Sequence, residues 1–149
     1  MAAKLLQSKV SELNHVYSNP KIIILGDFND QPTDESIMEC LNARELTENM
    51  ISNELYNLSG QWTDNNLGTI KYQSQWSVFD QIIVSGTVLH PESGFFLNPV
   101  DAKIVNNSFL LENDDKFEGT KPKRTYVGFS YKGGFSDHLP VTLKLHRLN

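Results

Sequence analysis

One cysteine, Cys40, stands in 149 residues, which excludes an internal disulfide and any metal site built from several thiolates. Its helix-like surroundings make it a small buried hydrophobe rather than a nucleophile. No stretch approaches the roughly 18 consecutive apolar residues of a membrane helix. The first residues also lack the apolar segment of a secretory leader, so a soluble chain is expected, with an already trimmed leader as the alternative. Basic charge is in deficit: the formal net charge is −5. That balance argues against a broad, non-specific nucleic-acid surface, although acidic ligands are what a metal-held phosphate needs. Phosphate-cradling glycine loops are missing as well, since Gly133-Gly134 permits a sharp turn but no GxGxxG or Walker pattern occurs. No tandem repeat or separating linker interrupts residues 1–149, which are read as one domain.

What is present has α/β character. Leu6, Val10, Leu13 and Val16 or Tyr17 recur at helical spacing and predict a helix over 3–17, stopped by Ser18-Asn19-Pro20. Lys21 to Leu25 is a nearly continuous apolar run and predicts a strand covered on both faces. After the loop from Gly26 to Pro32, Thr33 is a candidate cap for a helix carrying Ile37, Met38 and Leu41 inward. Leu46, Met50 and Leu55 suggest more helix or an irregular packed segment. Residues 60–75 read as loop pinned by Trp62 and Tyr72. Val78 to Ser85 returns to strand, 86–100 admits only short elements, and Lys103–Val105 and Ser108–Leu111 are strand pieces. A turn-rich charged segment follows to Lys123, and the last strand is placed at Leu139–Leu145.

Polar residues gather at strand ends, where a scaffold fixes groups yet leaves them open to solvent. Asp27 and Asn29 follow the first strand, Asp80 opens the central one, and Asp137-His138 precede the last. Asp27 and Asp137 are hard oxygen ligands suited to Mg²⁺ or Mn²⁺, and magnesium keeps several waters, so a sparse ligand set is sufficient. Asn29 can donate to a phosphate oxygen or to water. His138 can contact a phosphoryl oxygen or take a proton from water, with Asp80 holding its other ring nitrogen. Each residue taken alone has a plainer reading. Asp27 and Asn29 form an Asx turn, Asp80 caps a strand or pairs with Lys71, and His138 is a satisfied structural histidine. Lys121, Lys123 and Arg124 make a small basic patch, read as a solvated loop in preference to a contact for phosphorylated substrate. Trp76 and Phe79 are read as core aromatics. His15, His90 and His146 show no ligand spacing.

In combination, GDFND with Pro32, WSVFDQIIVS from Trp76 to Ser85, and GGFSDHLPV from Gly133 to Val141 resemble the endonuclease/exonuclease/phosphatase superfamily. These are deoxyribonuclease-I-like metal-dependent phosphoesterases, and the motif order matches. The resemblance implies that Asp27 orients the attacking water and Asn29 holds the scissile phosphate. It implies that Asp137 lies at the metal centre, His138 on the phosphate, and Asp80 behind that histidine. It also implies hydrolysis of phosphate esters with Mg²⁺, over substrates that include nucleic acids, which the charge of this chain does not itself indicate.

The likeness covers only the carboxyl-terminal half of the family domain. The implied fold is one half of a four-layered α/β sandwich, with a mainly antiparallel or mixed sheet flanked by helices. The early strand with its asparagine, the principal metal-binding glutamate, and a mid-domain tyrosine and aspartate have no counterpart before Lys21. A bare sheet face of several hundred Å² would cost on the order of 10 kcal/mol, comparable with a domain's whole stability. A missing amino-terminal half or a second chain is therefore expected to cover it. The alternative function is a non-catalytic interaction or structural module retaining the half-fold.

Overall fold

The computed structural model describes residues 1–64, 67–91 and 94–148. Helix α1 (Ala2–Val16) buries Val10 and packs Ala3 and Leu6 beside it, whereas Leu13, Val16 and Tyr17 are exposed. Its inward face is thus shorter than the periodicity predicts. The last turn is held instead by Asn14, whose Nδ2 donates to the Asn53 carbonyl at 3.1 Å.

Strand β1 (Ile23–Asp27) begins two residues later than expected and runs into the aspartate. Just before it, the Ile22 N–H donates to the Ser85 hydroxyl at 3.0 Å while its carbonyl accepts from the Ser85 amide at 2.9 Å. A π-helical turn (Ser36–Cys40) follows, with Leu41 N–H closing on the Ser36 carbonyl. Thr33 caps nothing there. Asp34 instead accepts from the Gln31 amide at 2.6 Å, and Ile37 and Leu41 anchor the turn in the core. Cys40 is only half-buried.

Strands β2 (Ala43–Arg44) and β3 (Leu55–Asn57) flank an irregular stretch, so the helix option for Leu46 to Leu55 is not realised. The segment read as loop over 60–75 contains helix α2 (Gly60–Asp64) and a hairpin of β4 (Ile70–Tyr72) and β5 (Gln75–Ser77). Residues 65 and 66 of that reading, and 92 and 93 of the next, lie outside the described residues. Trp62 is buried and pins the segment, while Tyr72 is exposed and does not.

Strand β6 (Asp80–Ser85) is the centre of a four-stranded sheet ordered β1-β6-β3-β2, antiparallel except for the β2–β3 pair. After it come α3 (Gly86–Leu89), β7 (Phe95–Phe96), a 3-10 turn (Pro99–Asp101) and β8 (Lys103–Ile104). Ser108–Leu110 is a second 3-10 turn rather than strand, leading into β9 (Leu111–Asn113), which pairs with β10 (Thr120–Pro122). A further hairpin joins β11 (Tyr126–Val127) and β12 (Ser130–Tyr131).

The long final strand predicted over Leu139–Leu145 is replaced by β13 (Val141–Thr142) and β14 (His146–Arg147). They pair with β8 and β7 respectively. Between those partners lies the turn at Pro99, so no continuous edge exists for one strand to follow.

The architecture is α/β, a mainly antiparallel sheet flanked by helices, as the half-sandwich reading expects. Alternation along β6 builds two cores. Ile82 and Val84 meet Tyr56, Leu58, Trp62, Val78 and Leu97 on one face. Ile83 meets Val10, Ile37, Leu41 and Leu55 on the other. Around β6 and β3 both faces of this sheet are covered by the chain's own side chains, so the bare face expected from half a sandwich is not found there. The covering comes from segments that fold back, with Val88, Ala102, Ile104 and Val141 over the first face.

Exposure appears elsewhere. Strand β1 has one neighbour and leaves Leu25 56 % exposed, so it is not covered on both faces. The β11–β12 hairpin presents Tyr126, Val127, Phe129 and Tyr131 to solvent, beside Phe109 and Phe135. Among the described residues, no helix is long and apolar enough to cross a membrane.

Candidate active site

The register of β1 against β6 sets Asp27 directly opposite Asp80. Opposed residues of an antiparallel pair share a face, with Cβ atoms about 4.5–5.5 Å apart. On that face the Asp80 carboxylate accepts from His138 Nδ1 at 2.7 Å, and both side chains are mostly shielded from water. A carboxylate can only accept, so Nδ1 carries the proton in this contact and Nε2 is the nitrogen left for a substrate.

His138 is held there by the backbone. It forms a β-bridge with Ile70, the Leu139 N–H donates to the Thr69 carbonyl at 2.6 Å, and its own N–H donates to the Ser136 hydroxyl. Thr69 is completely buried, and its hydroxyl oxygen accepts from the amides of Phe79 and Asp80 at 3.2 and 3.1 Å. One threonine therefore ties the aspartate's strand to the histidine's loop.

The GDFND loop is braced on the same strand. Phe28 N–H donates to the Phe79 carbonyl, and the Val78 amide donates to Gln31 Oε1 at 3.0 Å. Gln81, completely buried, donates through Nε2 to the Asp30 carbonyl at 2.6 Å and accepts from Asn57 Nδ2 at 2.6 Å. The Ser36 hydroxyl donates to Asp30 Oδ2.

Asn29 adopts a left-handed conformation (φ 53°), which asparagine tolerates better than most residues. Its amide N–H donates to Asp27 Oδ1 at 2.9 Å, the Asx turn weighed in the sequence, and its Nδ2 lies 3.4 Å from Oδ2. Both residues are exposed. The turn leaves lone pairs on both oxygens of Asp27, so the structural role and an open carboxylate coexist.

Asp137 is exposed, its Oδ2 3.8 Å from Arg124. Among the described residues, no hydrogen bond or ion pair joins it to Asp27. The two relate through His138, its neighbour, and Asp80. Among the described residues, no group of three or more His, Cys, Asp or Glu side chains is arranged to hold a metal ion. Asp27 and Asp137 thus offer hard oxygen donors that suit a hydrated divalent cation as part of a set, without completing one.

Other readings shift. Lys71 pairs with Asp114 at 3.2 Å, both side chains buried, instead of with Asp80. Burial raises the Asp114 carboxyl, but hydrogen bonds from the Phe117 amide, Lys71 and the Lys116 amide outweigh it, and the result is a lowered pKa. In the basic patch, Lys121 lies on β10 instead of in a solvated loop and faces Glu112 and the buried Asp114, whereas Arg124 faces Asp137. Trp76 and Phe79 are half-buried. His146 contacts Asp101 at 2.7 Å, a pairing that spacing did not signal. Sequence reasoning missed Thr69, Gln81 and Asn57. Gln81 could have been found as an uncharged polar residue inside the apolar run of β6, while Thr69 carries no such mark.

A search of curated proteins and a search of solved structures each returned no match. A family model described as Endonuclease/Exonuclease/phosphatase family matches residues 1–147. With that match over nearly the whole chain, and with Asp27, Asp80 and His138 converging on one face of the sheet, the chain belongs to the endonuclease/exonuclease/phosphatase family, whose general chemistry is metal-dependent hydrolysis of phosphate esters.

Proposed function

We propose that residues 1–149 form the carboxyl-terminal half of a Mg²⁺-dependent phosphoesterase that hydrolyses phosphate esters by in-line attack of water on phosphorus. The observation that carries this reading is the 2.7 Å contact of His138 with Asp80, opposite Asp27 in the ladder. In the attack, a bond forms between water oxygen and phosphorus while the bond to the leaving oxygen breaks. Asp27 accepts the water's proton from the exposed end of β1. Asn29 Nδ2 exchanges its long contact with Asp27 for a phosphoryl oxygen. Protonated His138 donates through both nitrogens, Nδ1 to Asp80 and Nε2 to a second phosphoryl oxygen, where negative charge grows. Asp27 and Asp137 would hold the ion, which when bound supplies Lewis-acid polarisation of the phosphate.

The remaining metal ligand is assigned to an amino-terminal half or a second chain docked beside β1. Mg²⁺-dependent release of nitrophenol from p-nitrophenyl phosphate and bis(p-nitrophenyl) phosphate, assayed on the longer protein, tests the reading. Asp27→Asn and His138→Ala are each expected to lower kcat by about 10²-fold or more. Rates unchanged in both variants would remove the assignments.

A second reading, a non-catalytic interaction module, is favoured by one observation: the incomplete ligand set among the described residues. It predicts no Mg²⁺ heat by isothermal titration and no hydrolysis even when the other half is supplied.

A further inference from the structure

The segment Lys123–Thr125 is fastened to the loop that carries Asp137 and His138. Phe135 N–H donates to the Lys123 carbonyl at 2.8 Å, Gly134 N–H to the Arg124 carbonyl at 3.2 Å, and Lys132 N–H to the Thr125 carbonyl at 2.8 Å. The Thr125 hydroxyl adds a bond to the Phe135 carbonyl at 2.7 Å. The two stretches approach so closely that a Cβ on Gly134 would sit 2.0 Å from the Lys123 carbonyl oxygen and 2.5 Å from that of Arg124. Only glycine permits this contact. Its result is to set the Arg124 guanidinium beside Asp137, one residue from His138.

At 3.8 Å the Arg124–Asp137 contact is longer than a hydrogen bond, and both side chains are about half exposed. Exposed pairs of this kind contribute little and are readily exchanged. Arginine presents planar, paired donors that match phosphate oxygens. Resting on the functional reading above, the site has Asn29 Nδ2 and His138 Nε2 for two terminal phosphoryl oxygens. A phosphodiester has two such oxygens, and a phosphomonoester has three.

We propose that Arg124 is a substrate-binding residue that takes the third terminal oxygen, and that the site is built for phosphomonoesters. Asp137 acts as the guanidinium's resting partner and surrenders it when phosphate binds. The added positive charge also offsets the acids Asp27, Asp80 and Asp137, which would otherwise repel a dianion.

Binding to this chain without turnover provides the test, by NMR titration with inorganic phosphate and, separately, dimethyl phosphate. Wild type is expected to bind phosphate about tenfold more tightly than dimethyl phosphate, a gap that Arg124→Gln closes by weakening phosphate alone. Arg124→Lys, which keeps the charge but not the fork, restores part of it. Asp137→Asn, which frees the guanidinium, raises phosphate affinity, an effect that a merely structural arginine would not give. Equal weakening of both ligands in Arg124→Gln, or no change in either, overturns the assignment. Phosphate preference dependent on Arg124 in a protein that hydrolyses neither ester would sink the hydrolase reading and leave this binding assignment standing.

Discussion

Asp80 illustrates how much one side chain can be asked to do. Its backbone amide is held by Thr69, its carboxylate by His138, and its position by the pairing with Asp27. Asp80→Asn keeps the size and the backbone bond but loses the charge-assisted contact, a difference of about 1.5–3 kcal/mol, or roughly 10–100-fold in rate. Steady-state kinetics should show that loss in kcat, with KM little changed and circular dichroism unaltered. Gly134→Ala acts through sterics alone. Its Cβ must displace two backbone carbonyls, which cannot rotate away as a flexible side chain would. Such overpacking typically costs about 1–3 kcal/mol, so urea denaturation should show a lower midpoint. Phosphate binding should weaken together with stability, because Arg124 is carried on the displaced segment.

At the scale of elements, polar braces hold the site more than apolar packing does. Gln81→Leu would leave the buried Asn57 amide and the partly buried Asp30 carbonyl without their partner. Each buried group left unpaired costs about 1–3 kcal/mol. Amide hydrogen exchange should quicken at residues 28–31 before it quickens in β6.

A second brace joins the turn at Pro99–Asp101 to β14, where Asp101 meets His146 and the imidazole stacks on Phe96. The hydrogen bond from His146 outweighs the opposing effect of desolvation and holds the Asp101 carboxyl below its ordinary range. A carboxyl depressed on folding stabilises the protein fully above its unfolded value and loses that contribution as pH falls through the folded one. Acid titration followed by fluorescence should therefore show a steeper loss of stability below the usual carboxylate range in wild type than in Asp101→Asn.

The same scale explains what was legible in the sequence. GDFND and SDH are contiguous, so the family likeness could be read directly, as could helix α1 and the strand that leads into Asp27. The extent of β1 and the break at Leu143–Leu145 could not, because a strand's length depends on where its partner continues. Thr69 was invisible for a related reason. Its role is to accept two amides from a strand some ten residues away, and nothing local distinguishes it from any threonine in a polar loop.

The whole molecule divides into a well-covered interior and a poorly covered rim. Ile82, Ile83 and Val84 have no exposure at all, while Phe129 is fully exposed and Leu25 is more than half so. Exposed aromatics clustered on one hairpin and an unpaired sheet edge both favour association. Light scattering on the isolated chain should report a mass that rises with concentration, and a monodisperse monomer at every concentration would count against the covering partner proposed above.

The open flank of β1 leads directly to Asp27, at the carboxyl end of the same five residues. Any polypeptide zipping onto that flank would stiffen the ground on which the proposed general base stands. Recruitment and switching-on would then be a single step, with onset of turnover following the rate at which two pieces find each other.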